Sequence, residues 1–123
     1  MHQGVRGARL TSELSQPQAF FERLCPAILA THAEVSRRLG GRIAFRVLGE
    51  RGGDWLLDLD AAEVRRGIDR RVDLMLELRS EDFLSLMRGA LDLSKALAAG
   101  RVRYDGDLLA LVRFGTVLEE VGV

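Results

Sequence analysis

The sequence predicts an α+β fold: a mostly antiparallel five-stranded sheet with helices covering one face. Two observations carry this expectation. Several short stretches alternate apolar and charged residues with period two, the pattern of a strand with one buried face. Around them lie stretches whose apolar residues recur at helical spacing. Laid side by side, the clearer strands share one apolar face: Ile43, Phe45 and Val47; Trp55, Leu57 and Leu59; Leu74, Leu76 and Leu78; Val102 and Tyr104. Their other faces are mostly charged. Antiparallel sheets commonly look like this, with helices on the apolar side and water on the other.

Each element has a local reason. Residues 1–15 are polar, carry glycines and show no period, so they read as a mobile tail before a single domain over 16–121. Pro17 suits the first position of a helix in which Phe20, Phe21 and Leu24 form one face. Pro26 lacks an amide hydrogen and crowds the preceding turn, so a kink or a fresh helix start is expected there. Beyond it Ile28, His32, Val35 and Leu39 fall on one helical face, and Gly40-Gly41 ends the run. Residues 42–47 and 54–60 alternate as two strands around the glycine-rich turn 49–53. A further short strand is expected near residues 62–66, running into a polar connection over 65–71.

The stretch 72–118 has a punctuating residue at every joint. Asp73, Glu77 and Arg79 alternate with Leu74, Leu76 and Leu78 as a strand. Ser80 stands where a helix N-cap is wanted, with Glu81 and Asp82 in the first turn, where the helix dipole favours acids. Phe83, Leu84, Leu86 and Met87 give that helix its apolar face, and Gly89 ends it. Asp92 caps a short helix with Leu93, Ala96 and Leu97 on one side, and Gly100 ends that one. Residues 101–105 alternate again, Gly106 turns the chain, and Asp107 caps a last helix from Leu108.

This last helix is more apolar than one packing face requires. At 100° per residue, Leu108, Leu109, Leu111, Val112, Phe114, Val117 and Leu118 cover most of its circumference, leaving Arg113, Thr116 and Glu120 as the polar arc. Such a helix is buried on more than one side. Two readings stand: packing against the N-terminal helix or a dimer mate, or lining a cavity filled by an apolar guest.

Composition excludes several function classes. The 123 residues are 47% hydrophobic and 29% charged with a formal net charge of +0, so bulk charge suggests neither nucleic acid nor an anionic membrane. A single cysteine, Cys25, permits no intramolecular disulfide and fits a reducing compartment, here the cytoplasm. No apolar run approaches ~20 residues and no secretory signal is visible. The sequence carries no phosphate loop, dinucleotide fingerprint, nucleophile elbow or paired cysteines. Cys25 and His32 on one helix lie roughly 10 Å apart by helix rise, too far for one metal ion. Asp58 and Asp60 read as solvated charge on the outer side of a strand, and Arg65, Arg66, Arg70 and Arg71 as a solvated turn among acids. No residue is an evident catalyst, no cofactor is implied, and the chain is not expected to be an enzyme.

Taken together, these residues resemble a known family. Phe45 and Val47 precede a glycine turn and Trp55-Leu56-Leu57-Asp58-Leu59. Gly67 and Asp73 lead into Ser80-Glu81-Asp82-Phe83, then Gly89-Ala90-Leu91-Asp92, Ala96, Gly100-Arg101-Val102, and Gly106-Asp107-Leu108 with Ala110-Leu111. The run resembles the sterol carrier protein 2 domain, a small α+β lipid-binding module, over roughly Phe20 to Leu118. The resemblance implies an apolar tunnel between sheet and helices, holding a sterol, fatty acid or acyl-CoA, phospholipid or isoprenoid. Its lining would be Phe83, Leu86, Met87, Leu93, Leu97, Leu108, Leu111, Val112 and Phe114. The chain departs from the family's frequent Pro-Gln at Leu93-Ser94 and from its aromatic at Leu97, both beside that tunnel. The C-terminal Val121-Gly122-Val123 is not a peroxisomal tripeptide, which favours a bacterial stand-alone member.

The function expected is therefore non-enzymatic binding or intracellular transfer of a hydrophobic ligand. The alternative is an accessory module whose core is self-filled and whose surplus apolar surface dimerises or docks on an enzyme. The expected partner is a hydrophobic small molecule or lipid. Transient membrane contact and a homodimer stay open, and nucleic acid is not expected.

Overall fold

The structure, a computed structural model, describes residues 16–68 and 71–121, the last five by backbone alone. The expectation of a tail over 1–15 lies outside these residues, as do Asp69 and Arg70. Helix α1 is one helical run in three pieces, Pro17–Ala19, a π-helical Phe20–Leu24 and Cys25–Thr31, and α2 is Ala33–Leu39. Strands β1 (Arg42–Leu48), β2 (Gly53–Asp58), β3 (Glu63–Arg66) and β4 (Leu74–Arg79) follow. Helices α3 (Ser80–Met87) and α4 (Leu93–Ala98), strand β5 (Val102–Gly106) and helix α5 (Leu108–Val121) complete the chain.

The five strands form one sheet in the order β3-β2-β1-β4-β5. It is mostly antiparallel, as expected, with one parallel pair, β1 against β4, at its centre. A parallel pair needs a long crossover, and here the chain passes through β2 and β3 before returning. Asp73 fastens the return. Its carboxylate accepts the Arg42 N–H at 2.9 Å, its own N–H donates to the Arg42 carbonyl, and its carbonyl accepts the Asp107 N–H. The start of β1, the start of β4 and the end of β5 are thus tied at one residue.

The shared apolar face exists as the alternation predicts. Phe45 stands opposite Trp55 on one side and Leu76 on the other, and Ile43 likewise between Leu57 and Leu74. Phe45 also meets rings from three helices: Phe21 of α1 at 5.2 Å, Phe83 of α3 at 6.0 Å and Phe114 of α5 at 5.6 Å between centroids. Those three helices therefore cover the same face of the sheet. Tyr104, opposite Leu76, extends this face on the edge strand β5 and is 45% exposed.

On the opposite face, charge pairs sit directly across strands in register. Arg42 faces Asp58, Arg46 faces Asp54 and Arg103 faces Glu77, with N···O separations of 3.3, 3.5 and 4.0 Å. The two more exposed pairs, Arg46–Asp54 and Arg103–Glu77, contribute about 0.2–1 kcal/mol each. The face is drier than its charge suggests. Ala44 and Leu56 lie opposite each other on it and are fully buried. The long aliphatic stems of the flanking Arg42, Arg46 and Arg65 are suited to cover such a patch.

Three local expectations are corrected and one is sharpened. Pro26 stands in the first turn of the Cys25–Thr31 segment, the fresh start expected there, while the helical run continues up to it through the preceding turn. The turn before it widens, with the Cys25 N–H donating to the Phe20 carbonyl, five residues back. A π-turn makes room for a proline ring that would otherwise clash one turn upstream. The helix breaks at His32, whose backbone leaves the helical region (φ −116°, ψ 46°). The break rotates the buried face: Leu29 and Ser36 are buried, while Ile28, His32, Val35 and Leu39 are only partly so. Ser80 is not the cap of α3 but its first residue, and its hydroxyl donates to the Glu50 carbonyl at 3.0 Å, tying α3 to the β1–β2 turn. Asp58 is not solvated: it is 5% exposed and accepts from the Ala61 N–H at 3.0 Å and from Arg42 Nε at 3.3 Å. Burial alone would raise its carboxyl, but those two donors and the Arg42 charge hold it below the ordinary Asp range.

Candidate functional site

Two hydrogen-bonded stops and two caps build the region around α4. Past α3, Gly89 takes a left-handed conformation (φ 76°); its N–H donates to Leu86 and the Ala90 N–H to Ser85. Past α4, Gly100 (φ 74°) repeats the arrangement, with Gly100 N–H to Leu97 and Arg101 N–H to Ala96. Both are paired carbonyl-satisfying motifs that end a helix abruptly. Asp92 Oδ1 accepts from the Ser94 and Lys95 N–H groups at 2.8 and 3.2 Å, and Asp107 Oδ1 from the Leu109 N–H at 2.9 Å. These caps and stops fix a six-residue α4, anchored by the buried Ala96, between α3 and α5.

Between these helices lies a half-open cleft of about 640 Å³. Leu86 and Met87 of α3 form one wall. Gly89, Leu91 and Asp92 of the α3–α4 connection continue into Leu93, Ser94 and Leu97 of α4. Leu108, Leu111, Val112, Gly115 and Thr116 of α5 close it. No strand residue is in the lining, so the cleft lies among helices rather than between helices and sheet. Its volume is within the range of small-molecule sites.

Helix α5 serves two surfaces. Leu111 and Phe114 are buried toward the sheet, Phe114 against Phe45. Leu108 and Val112 turn to the cleft and are each 58% exposed. Gly115 faces α4: a Cβ there would stand 3.4 Å from Leu93 Cδ2, close to ordinary contact. The surplus of apolar residues is thus divided between the core and the cleft, with Leu109 on neither. The side chains of Val117 and Leu118 lie outside the description.

Leu86, Met87, Leu93, Leu97, Leu108, Leu111 and Val112, expected from the sequence to line a tunnel, are all in this lining. Phe83 and Phe114 are in the core cluster under the sheet and do not reach the cleft. Leu91, Ser94, Gly115 and Thr116 were not foreseen. The i, i+4, i+7, i+8 series from Leu108 signals Gly115 and Thr116; nothing local signals Leu91. Asp92 and Gly89 were legible only as helix punctuation.

A second depression, of about 720 Å³, lies at the other end of α3. Glu50, Arg51, Arg79 and Glu81 stand among its lining, so it lacks the continuous apolar wall of the first. Chemistry elsewhere is sparse. Burial pushes the Cys25 thiol up to about 12, so it holds its proton at neutral pH and is a poor nucleophile. No three His, Cys, Asp or Glu side chains among the described residues converge on a metal position. Arg65 pairs with Glu63 at 3.1 Å and the Arg66 guanidinium lies 5.2 Å from the Trp55 ring centre, so both are engaged within the chain. No helix among the described residues is long and apolar enough to cross a membrane.

A five-stranded sheet with helices on one face and an aliphatic cleft among those helices defines a small α+β module with an open apolar site. The chain belongs to the SCP-2 sterol transfer family, whose model matches residues 21–119. It is 28% identical over 83 residues to hydroxysteroid dehydrogenase-like protein 2 of Rattus norvegicus, a match covering 65% of this chain and 16% of that protein. The chain thus spans about a sixth of the length of that curated relative. Among solved structures, sterol carrier protein domain 2 of Helicoverpa armigera superposes with a TM-score of 0.73 at 17% identity, covering 84% of this chain and 85% of that one. Palmitated SCP2L2 of Aedes aegypti gives a TM-score of 0.70 at 21% identity, covering 84% and 94%. At these identities the likeness carries the fold.

Proposed function

We propose that residues 16–121 form one unit that holds an apolar, lipid-like molecule in the α3–α4–α5 cleft and carries it without transforming it. The observation that carries this reading is Leu108 and Val112, more than half exposed on a helix already packed through its other side. Two such residues gain by being covered. At roughly 25 cal/mol per Å² of apolar surface, micromolar binding needs roughly 330 Å² covered before association costs. A long acyl or isoprenoid chain offers that area with little polar recognition. Support comes from the family and from the palmitate carried by the Aedes aegypti structure of like fold. The absence of an activated nucleophile in the cleft lining favours carriage over catalysis.

The test is native mass spectrometry of the protein as purified, followed by organic extraction and lipid analysis. A co-purifying lipid near one per chain is expected. A clean apo mass with no uptake from acyl, sterol and isoprenoid probes would overturn the reading.

A second reading has one observation of its own. Leu109 is 62% exposed and lies outside the cleft lining, so a ligand there leaves it uncovered. A docking surface on α5, for a second copy or a served enzyme, would cover it. Light scattering of wild type and Leu109→Glu separates the cases: a dimer lost in the variant supports the surface, and a monomer in both removes the homodimer.

A further inference from the structure

The polar residues of the cleft bear on what it selects. Asp92 is the single ionisable residue in the lining, and no Lys or Arg is among it. The remaining polar groups are the hydroxyls of Ser94 and Thr116. Thr116 Oγ1 already donates to the Val112 carbonyl at 3.1 Å.

A helix N-terminus beside a cleft would ordinarily attract an anion through its free N–H groups. Here three of those groups are already engaged by acidic caps. Asp92 Oδ1 takes the Ser94 and Lys95 N–H groups of α4, and Asp107 takes the Leu109 N–H of α5. Each cap also places a carboxylate beside a lining residue, Asp92 before Leu93 and Asp107 before Leu108. The nearby cations do not reverse this. Lys95 sits roughly 150° around α4 from the middle of its cleft-facing arc, and Arg113 roughly 120° around α5 from its own. Arg88, beside Gly89, already has a partner.

We infer that this cleft selects uncharged lipids that carry a hydrogen-bond donor, such as long-chain alcohols, over lipids with an anionic head such as a fatty-acid carboxylate. The inference rests on the proposed binding function. An anionic head meets the like charge of Asp92 at the exposed rim of the cleft, a repulsion that acts at low salt and is screened as salt rises. A hydroxyl head can donate to Asp92 Oδ2, which neither capping bond uses. The selectivity therefore comes from a residue whose other task is structural.

The experiment is displacement of a neutral pyrene-labelled alcohol by 1-dodecanol and by dodecanoate, at pH 8 and low salt. It is run on wild type and on Asp92→Asn. Asparagine caps a helix about as well as aspartate, so α4 is retained, and a melting curve checks this. Dodecanol is intrinsically the more hydrophobic probe, so the reading is the change in the ratio of affinities between the two proteins. In Asp92→Asn dodecanoate affinity is expected to rise at least threefold, while dodecanol affinity falls because its hydroxyl loses the charged acceptor. In wild type, raising salt is expected to shrink the same ratio, a readout that needs no variant. An unchanged ratio in both measurements, or an equal shift for both probes, would overturn the charge selectivity while leaving lipid binding intact. Failure of every neutral probe to bind would overturn the binding function itself.

Discussion

Phe21 and Val112 belong to helices that pack on the same sheet, and they meet opposite surroundings. Phe21 is fully buried: its ring stacks on Trp55 at 4.9 Å and on Phe83 at 5.1 Å, with Phe20 and Phe45 at its edges. Val112 is 58% exposed on the wall of a cleft. Around Phe21 the chain satisfies its own apolar surface, and ring on ring adds about 0.5–1.5 kcal/mol per pair beyond area burial. Around Val112 the chain leaves apolar surface uncovered. The first region sets stability and the second is free to serve a ligand.

The largest test of this division is Phe21→Ala. Removing the ring at the centre of the cluster is expected to cost about 3–5 kcal/mol, much of a domain's total stability of about 5–15 kcal/mol. Urea unfolding measures it. A loss below 1 kcal/mol would mean that the aromatic cluster is not what holds the helices on the sheet.

Asp58→Asn probes the same body from its outer face. Losing the charged bond to Arg42 is expected to cost about 1.5–3 kcal/mol at neutral pH. The pH dependence has a defined sign. Because the folded state holds the Asp58 carboxyl below its ordinary 3.8, its contribution is present above that value and is lost as pH falls through the folded one. The gap in melting temperature between wild type and variant should therefore narrow below about pH 4. A gap that is constant down to the acid limit would assign the effect to packing.

Gly100→Ala moves to the end of α4, the helix that forms one side of the cleft. Nothing lies within 4 Å of a Cβ at Gly100, so its cost is backbone strain at φ 74° alone, about 1 kcal/mol. Hydrogen exchange should place the loosening in α4 and not in the sheet.

The smallest effect on stability is expected from Val112→Gln, within about 0.5 kcal/mol. The same variant should weaken retention of a bound lipid by up to about tenfold, since a covered valine contributes about 1.5 kcal/mol. A stability loss like that of Phe21→Ala would erase the distinction between the two regions.

Much of this was readable residue by residue. Strand faces follow from alternation because successive side chains point to opposite sides, so Ile43, Phe45 and Val47 had to share a face. Helix ends at Gly89 and Gly100 and caps at Asp92 and Asp107 follow from which backbone groups go unbonded at a terminus. Where reading failed, a distant partner intervened. Ser80 gives its hydroxyl to Glu50, thirty residues away, instead of capping its own helix. Asp58 is dried by Arg42 across the strand pair. The π-turn before Pro26 is a compromise between a proline and the packing of Phe20, Phe21 and Leu24, and only the packing reveals it.

The candidate site divides along the same line. That α5 carries more apolar surface than one face needs is a property of the sequence, because helical geometry alone assigns each residue an angle. Which arc of it meets the core and which meets the cleft depended on how α5 crosses the sheet. Phe83 and Phe114 were drawn into the core because Phe45 stood opposite them, and Leu91, Ser94 and Thr116 entered the lining because α4 sits across from α5. The sequence by itself determined the strands and their buried faces, the glycine stops of α3 and α4 and the aspartate caps of α4 and α5, since these depend on neighbours within a few residues. Tertiary structure alone decided the parallel β1–β4 pair and the composition of the cleft, since both depend on contacts between segments far apart in the chain.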